Sequence, residues 1–395
     1  MHRLLICLLF ALTLACTSKK NPEPAIDFSY PPEMPEVFLP GLVSVEGRFD
    51  MGITLSKDGQ TLFFGVAPDS DTQQPQILQS YGQADGSWSQ PERAAFPGNA
   101  NTFFPQFGPR DQYLYYAKAE AGRDTELWRY QLNSGQKTQP ERMNQGINSE
   151  YREAGHGMTL DSTFYFTSNR IQTEACCGDV FSNDNWNKDS ITPSAISELS
   201  SVYDEESIYV SPNHDYMIIQ AWKPEYEGKH DLYISYRDIN GQWQQPERLI
   251  NIINSPEIEQ RPFITRDNKA LFFSRTSFEQ NGDQVSYDSD IYWISTEAVF
   301  EPYVYNPEPV HYIKPGEEVK LEFASDLFRH VTDTELSYDV SLKKGKPLPA
   351  SLDFNTSTLT LSGLWPEKGP EEILIFAMDQ VGHKTSHTIQ IERQQ

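Results

Sequence analysis

The sequence predicts an all-β protein in which a five-bladed β-propeller is followed by a smaller β-sandwich. Three observations predict the propeller. A strand-turn-strand phrase recurs five times, further short strands follow each copy, and the outer strand that the last copy lacks is present ahead of the first. Units of about fifty residues in series indicate a repeat architecture, and about four short strands per unit are typical of one propeller blade.

Each copy of the phrase places polar, turn-forming residues between two apolar stretches, a pattern typical of a β-hairpin. The third residue of each copy serves as a marker, and successive markers are 52, 51, 52 and 54 residues apart. The markers are Asp58, Arg110, Asp161, Asn213 and Asp267. Such regular steps predict five units of one kind.

The rest of each unit repeats in step with the marker. A third strand is predicted to begin about 18 residues later, and a Pro-Glu-Arg segment then begins at Pro91, Pro140 and Pro246, with Pro193 at the corresponding place in unit three. Unit five has no such segment. We expect residues 35–38, Pro-Glu-Val-Phe, to supply its outer strand and close the ring, which leaves no large sheet edge open. The alternative is a six-bladed ring, with a further blade within residues 171–200.

These phrases resemble the TolB-like propeller repeats (WD40-like, PD40-type) of bacterial cell-envelope proteins, whose units carry a Ser-Pro-Asp-Gly-Lys turn and an Asp-Ile-Tyr strand. The resemblance covers residues 35–297; only unit one keeps Asp58-Gly59, and only units two and four keep the proline. It implies a propeller, assigned to residues 35–300, that binds another envelope protein or a peptidoglycan-associated one.

The first sixteen residues are predicted to be a signal peptide. His2 and Arg3 precede an apolar run from Leu4 to Leu14, which is too short to span a membrane, and Ala15-Cys16 follow. This ending resembles the lipobox of bacterial lipoproteins, which implies a lipidated Cys16; an ordinary cleaved signal is the alternative. Thr17 after the cysteine favours the outer membrane, and residues 17–34 are predicted to form a flexible tether.

Charge and cysteine content restrict the partners. The formal net charge of −24 repels phosphate backbones, so we expect no nucleic-acid partner. Apart from the anchor, the mature chain contains only Cys176 and Cys177. In an exported protein these adjacent cysteines favour a strained vicinal disulfide, with two free thiols or a metal site as the alternatives.

After a linker at residues 301–309 the repeat stops, and short alternating segments over residues 310–395 predict an antiparallel sandwich. The phrases that begin at Leu348, Thr358 and Ala377 resemble those of dystroglycan-type cadherin-like (Ig-like) domains of bacterial surface proteins. Such modules are spacers or adhesion units. Some bind Ca²⁺, for which Asp379 is the candidate; the alternative is that Asp379 is a turn residue.

The repeat also predicts a site. Eight residues before each marker, where the innermost strand begins, lie Asp50, Thr102, Glu153, Glu205 and Glu259, which we call the ring positions. They place four carboxylates around one mouth of the channel, where two such charges about 8 Å apart repel by roughly 2 kcal/mol. Compensation is expected from a bound cation such as Ca²⁺ or Mg²⁺, or from neighbouring residues: Arg48, Arg152, Arg261 and His156. The alternative is that each acid holds its inner strand to the adjacent blade.

The function predicted from these observations is binding, without a required cofactor. A lipid anchor, a tether, a propeller and a spacer-like sandwich suit a module of the bacterial cell envelope whose partner, an envelope protein or a polysaccharide, binds at the channel mouth. The alternative is a glycan-active enzyme of the glycosidase type, in which two of the ring carboxylates act together.

Overall fold

The computed structural model describes residues 28, 30–68, 74–120, 124–132, 138–171, 177–188, 192–224, 230–281, 284–332 and 334–394. Cys16, the signal peptide, most of the tether and Cys176 lie outside these ranges, so the predicted anchor and disulfide stay predictions. Within the ranges, none of the helices combines the length and apolar character that a membrane crossing demands.

Among the described residues, twenty strands of two to twelve residues build the propeller. In chain order they are β1 (Glu36–Val37), β2 (Arg48–Leu55), β3 (Thr61–Pro68), β4 (Gln76–Tyr81), β5 (Glu92–Arg93), β6 (Thr102–Phe107), β7 (Tyr113–Ala119), β8 (Thr125–Gln131), β9 (Glu141–Arg142), β10 (Glu153–Met158), β11 (Phe164–Ser168), β12 (Asp179–Asn183), β13 (Ser194–Ala195), β14 (Asp204–Val210), β15 (Tyr216–Trp222), β16 (Asp231–Tyr236), β17 (Glu247–Arg248), β18 (Ile258–Ile264), β19 (Ala270–Asn281) and β20 (Gln284–Ser295).

In the described part of the chain these strands pair as five antiparallel sets of four: β2–β5, β6–β9, β10–β13, β14–β17, and β18–β20 with β1. One parallel bridge, between Phe49 and Ser289, joins the first set to the last. The innermost strands β2, β6, β10, β14 and β18 contact one another in a closed circuit. The predicted β-propeller is therefore confirmed, and the described part of residues 171–200 supplies β12 and β13 to the third set.

The ring closes where the sequence predicts. β1 pairs antiparallel with β20, Glu36 opposite Trp293 and Val37 opposite Tyr292. The next residue, Phe38, is fully buried, and its ring centre lies 4.9 Å from that of Phe272. The closing strand therefore combines ladder hydrogen bonds with an aromatic anchor in the core.

Each innermost strand contains a register shift just after its ring position, in an interval that includes the first or second residue after it. Such a bulge bends the strand and changes the direction of a side chain. The five residues two positions after the ring positions line a small cavity on the channel axis, and we call them the floor positions: Gly52, Phe104, Gly155, Ser207 and Arg261.

The floor positions obstruct the channel. A Cβ at Gly155 would lie 2.5 Å from the Cα of Ser207, so only glycine permits this approach of two inner strands. The space left by the small residues is filled by Arg261, whose guanidinium carbon lies 3.3 Å from the ring centre of Phe104. Phe104 and Arg261 both have positive φ, 54° and 57°. Two side chains on a strained backbone therefore separate one mouth of the channel from the other.

The remaining elements belong to the linker and the second domain. They are a 3₁₀ turn (Thr296–Ala298), β21 (Tyr303–Val304), β22 (His311–Ile313), β23 (Glu318–Glu322), β24 (Phe328–Arg329), β25 (Ser337–Ser341), a second 3₁₀ turn (Lys343–Gly345), β26 (Leu352–Asn355), β27 (Thr360–Leu364), β28 (Glu372–Met378) and β29 (Lys384–Arg393). The sheets β22-β29-β28-β25 and β23-β27-β26 share one apolar core, which contains the buried Trp365. The predicted β-sandwich is confirmed.

Asp379 serves a turn at the end of β28. One carboxylate oxygen accepts hydrogen bonds from the backbone N–H groups of Val381, Gly382 and His383, at 2.7 to 3.0 Å. The other oxygen lies 3.1 Å from Nδ1 of His383 and 3.6 Å from Nε2 of His330. This geometry favours the turn interpretation over the calcium interpretation, because the backbone already occupies one carboxylate oxygen.

The closure can be tested by replacing Phe38 with alanine. Phe38→Ala removes a fully buried ring that packs on Phe272 and Trp293, so the free energy of unfolding is expected to fall by about 3–5 kcal/mol in urea denaturation. The control is Tyr30→Ala, because Tyr30 precedes the same strand and is 81% exposed; it should change stability by no more than about 0.5 kcal/mol. Equal effects of the two variants would contradict the role given to the closing strand.

Candidate binding site at the channel mouth

The ring carboxylates point back into the loops that precede their strands. Glu153 is fully buried and accepts hydrogen bonds from the backbone N–H and the hydroxyl of Ser149, at 3.0 and 2.6 Å. The Ser168 hydroxyl and the Arg170 guanidinium complete its set, at 3.0 and 2.8 Å. A carboxylate with these partners fixes the entry of β10.

The same arrangement recurs in the next two blades. Glu205 accepts from the N–H and hydroxyl of Ser201, at 3.1 and 2.5 Å, and Glu259 accepts from those of Ser255, at 3.0 and 2.6 Å. Glu259 also contacts Arg275 at 2.8 Å, whereas in the described part of the chain no ion pair includes Glu205. In the first blade Asp50 accepts from Val45 N–H at 2.9 Å and from Arg48 at 2.6 Å.

Burial dominates the protonation of two of these acids. It raises the pKa of Glu205 to about 7, against the hydrogen bonds from Ser201, and it raises the pKa of Asp50 to about 7, against the attraction of Arg48. Burial also raises the pKa of Glu259. These shifts follow from placing carboxylates in a poorly solvated loop, where the charged form is disfavoured.

The structure does not place Asp50, Glu153, Glu205 and Glu259 in the lining of the cavity at the mouth. All four are at most 2% exposed, and none of them lines the cavity at the mouth, because their oxygens are used by the adjacent loops. Arg48 is likewise bound to Asp50 and to the carbonyl of Val43. These contacts hold each inner strand to the loop that precedes it, and the alternative that the acids join adjacent blades stays a prediction.

His156 also lies away from the mouth. It is 1% exposed, contacts the small axial cavity, and its Nδ1 lies 3.1 Å from the carbonyl oxygen of Ala154. Burial lowers its pKa to about 4. His156 is therefore neutral near neutral pH, and it lines the small axial cavity instead of the cavity at the mouth.

Above the floor, a cavity of about 590 Å³ lies at the mouth where the inner strands begin. Because strand residues alternate between faces, the positions next to the ring positions are those that face the channel. All five residues directly after the ring positions line the cavity, and we call them the wall positions: Met51, Phe103, Ala154, Glu206 and Gln260. The repeat therefore locates the start of each inner strand correctly, but the residues that line the cavity are those one position after the ring positions.

Aromatic and charged side chains complete the cavity. Phe49 and Tyr287 line it and pack edge to face, and Phe104 lies at its base. Of the residues proposed from the sequence, Arg152 and Arg261 do line it. The cavity thus combines apolar ring faces with hydrogen-bonding groups.

The charged groups on one side of the cavity form a loose network. Nη2 of Arg261 lies 3.6 Å from Oε1 of Glu206, and Nη2 of Arg152 lies 4.0 Å from Oδ1 of Asp204. Nε2 of His230 lies 3.7 Å from Oδ2 of Asp204. Burial alone would raise the pKa of Glu206, but Arg261, Arg152 and His230 together hold it below its ordinary value. Glu206 is therefore a carboxylate at neutral pH.

Arg261 is the most buried of these groups. Burial lowers its pKa to about 10, against the attraction of Glu206, and its Nε has no hydrogen-bond partner among the described residues. A guanidinium that is only 10% exposed normally has its donors paired. Arg261 therefore presents donor capacity at the base of the cavity.

Sequence reasoning missed Asp204, Glu206 and His230. The repeat did contain a signal that the ring acids serve turns. In units three, four and five a serine precedes the ring acid by four residues. The wall positions, by contrast, differ in every unit. A position that repeats serves the fold, whereas a position that varies among equivalent units is free to serve a ligand.

The buried state of Glu205 predicts a pH effect. Its pKa rises from 4.5 to about 7 on folding, so the folded protein binds a proton more tightly. The stability that this provides is present below about pH 4.5 and is lost as the pH rises through about 7. In Glu205→Gln this dependence is removed, so the difference in unfolding free energy between wild type and variant should change by on the order of 2 kcal/mol between pH 4.5 and pH 8 in urea denaturation. The exposed Glu150, as Glu150→Gln, is the control, and parallel curves for wild type and Glu205→Gln would refute the assignment.

No protein-family model matches the chain, and no curated protein matches it. Among solved structures, the putative TolB from Agrobacterium tumefaciens is 12% identical with a TM-score of 0.40, over 63% of this chain and 90% of its own. A protein of unknown function from Dyadobacter fermentans is 10% identical with a TM-score of 0.41, over 90% and 96%. The periplasmic gluconolactonase of Pseudomonas aeruginosa is 10% identical with a TM-score of 0.35, over 86% and 85%. A putative TolB is thus among the solved structures similar to this chain, at identities and TM-scores that assign no function to it.

Proposed function

We propose that this protein is an exported, lipid-anchored binding module of the bacterial cell envelope, and that its ligand occupies the cavity at the channel mouth. The observation that carries the proposal is the cavity itself. Its wall positions break the symmetry of the repeat, and it stands on a floor of Arg261 and Phe104 held at positive φ. Strained backbone that surrounding packing maintains is commonly associated with function.

The chemistry of the cavity suits a saccharide. Its volume of about 590 Å³ lies within the usual range for small-ligand sites. Phe49 and Tyr287 offer apolar ring surface, while Arg152, Glu206 and Gln260 offer donors and acceptors. A sugar ring has the matching combination of C–H faces and hydroxyl groups. We therefore favour the end or a short segment of an envelope polysaccharide as the ligand, over an envelope protein.

The geometry supports binding better than glycoside hydrolysis. The enzyme alternative needs two carboxyl groups in complementary roles, one of them a proton donor. The ring acids are committed to their loops, and Glu206 is ionised because neighbouring positive charge lowers its pKa. Glu206 therefore lacks the raised pKa of a general acid.

The proposal predicts a loss of saccharide binding when the cavity aromatic is removed. A panel of envelope polysaccharides and their fragments is screened with the full-length lipoprotein in detergent, and each hit is measured by calorimetry. Tyr287→Ala should weaken binding about tenfold or more, because a half-exposed ring that lines the cavity is lost.

The matched control is Tyr312→Ala, which removes an exposed ring from the sandwich and should leave the affinity unchanged. Equal losses in the two variants, or the absence of any saccharide ligand together with capture of an envelope protein by the same mouth, would overturn the saccharide proposal. Release of reducing ends by wild type that is lost in Glu206→Gln would instead establish the enzyme.

A further inference from the structure

Three potential metal-ligating atoms converge on one side of the cavity. They belong to Asp204, at the start of β14, to Glu206, two residues later on the same strand, and to His230, directly before β16. One ligand atom of each lies within 4.8 Å of the other two, and Oδ2 of Asp204 lies 3.7 Å from Nε2 of His230. Two ligands that share an ion at about 2.1 Å are at most about 4.2 Å apart, so only a small adjustment is needed.

Hydrogen bonds within the protein hold one oxygen of each carboxylate, and they leave the other oxygen and Nε2 of His230 available to a metal ion. Oδ1 of Asp204 accepts the N–H of Gly178 at 2.9 Å, and Oε2 of Glu206 accepts from the amide of Gln220 at 2.9 Å. Nε2 of His230 is buried and has no hydrogen-bond partner among the described residues. A buried imidazole nitrogen without a partner is costly, so its position beside two carboxylates calls for a ligand.

The arginines beside this cluster lie farther from its carboxylates than most arginines of the described residues lie from theirs. Six other arginine-carboxylate pairs of the described residues close to 2.6–2.8 Å, among them Arg170 with Glu153, whereas Arg266 and Asp111 remain 3.5 Å apart. At the mouth, Arg152 and Arg261 remain 4.0 and 3.6 Å from their carboxylates. Asp204 and Glu206 therefore do not form close ion pairs with these arginines.

We propose that Asp204, Glu206 and His230 bind one divalent transition-metal ion, of the kind represented by Zn²⁺, at the channel mouth. One imidazole nitrogen and two carboxylate oxygens suit such ions, whereas Ca²⁺ and Mg²⁺ prefer oxygen ligands throughout. Three protein ligands leave coordination positions open, and Glu206 and His230 line the cavity, so these positions are available to ligand hydroxyl groups. The inference deepens the proposed function and rests on the same cavity.

Removing a neighbouring arginine and removing a ligand are expected to change the metal affinity in opposite directions. Their positive charge opposes a cation, so Arg152→Gln is expected to tighten metal binding severalfold, whereas His230→Gln removes a ligand and is expected to weaken it at least tenfold. A merely destabilised protein would not bind metal more tightly. The pair of variants therefore separates a metal site from a general loss of structure.

The experiment titrates Zn²⁺ alone, and then Mn²⁺ and Ca²⁺, into chelator-treated full-length protein, by calorimetry with thermal denaturation in parallel. We expect one Zn²⁺ per chain, Ca²⁺ bound more weakly, and a thermal midpoint raised by Zn²⁺ in wild type but not in His230→Gln. The matched control is His214→Gln. Nδ1 of His214 lies 3.2 Å from a single carboxylate, that of Asp161, at the other end of the inner strands, so this variant should bind Zn²⁺ as wild type does.

Failure to bind any of the three ions, or a Zn²⁺ affinity that His230→Gln leaves unchanged, would overturn the inference. Repeating the saccharide measurements with chelator distinguishes this result from failure of the proposed function. If saccharide binds but no metal does, the proposed function is retained and the metal site is rejected. If Zn²⁺ binds but no saccharide does, the metal site is retained and the proposed function is rejected.

Discussion

Closure of the ring is the constraint on which the rest of the structure depends. Two ladder residues in β1 and the buried Phe38 join the start of the propeller to its last blade. Because the ring is closed, the five innermost strands begin at one mouth and run in one direction along the channel. Residues 50 and 259, far apart in sequence, therefore occupy equivalent places around the same opening. Without this pairing, more of the edge of β20 would be exposed, and the first and last blades would be joined only through β2.

The repeat distinguishes the residues that build the fold from those available to a ligand. Ser149, Ser201 and Ser255 each bind the acid four residues later, so the carboxylate charge serves the loop at the entry of an inner strand. The same demand recurs in these blades, which is why the same residues recur. The wall positions meet no common structural demand, and their side chains vary. Positions whose residues recur from unit to unit therefore serve the fold of this protein, whereas the wall positions, whose residues vary, line the candidate site.

The floor of the cavity shows how packing maintains strain. Gly155 and Ser207 allow adjacent inner strands to approach closely, and the space that remains is filled by Arg261 lying against Phe104. Both large residues adopt positive φ, a conformation that costs energy for residues with a side chain. Burial disfavours the charge of Arg261, and Glu206 offsets this effect in part. Packing by the surrounding blades therefore holds the Arg261 guanidinium at the base of the cavity, on a backbone conformation that is locally unfavourable.

The sequence by itself determined the propeller, its closing strand, the sandwich and the register of the inner strands, because these depend on short-range patterns of apolar and turn-forming residues that repeat at regular steps. It placed Arg152 and Arg261 near the mouth for the same reason. Only the tertiary structure decided that Glu205 faces its loop while Glu206 faces the cavity, because Glu206 lies in a bulge between Glu205 and Ser207. It also decided that His230 meets Asp204, because a contact between separate strands depends on how the blade folds and has no local signature in the chain.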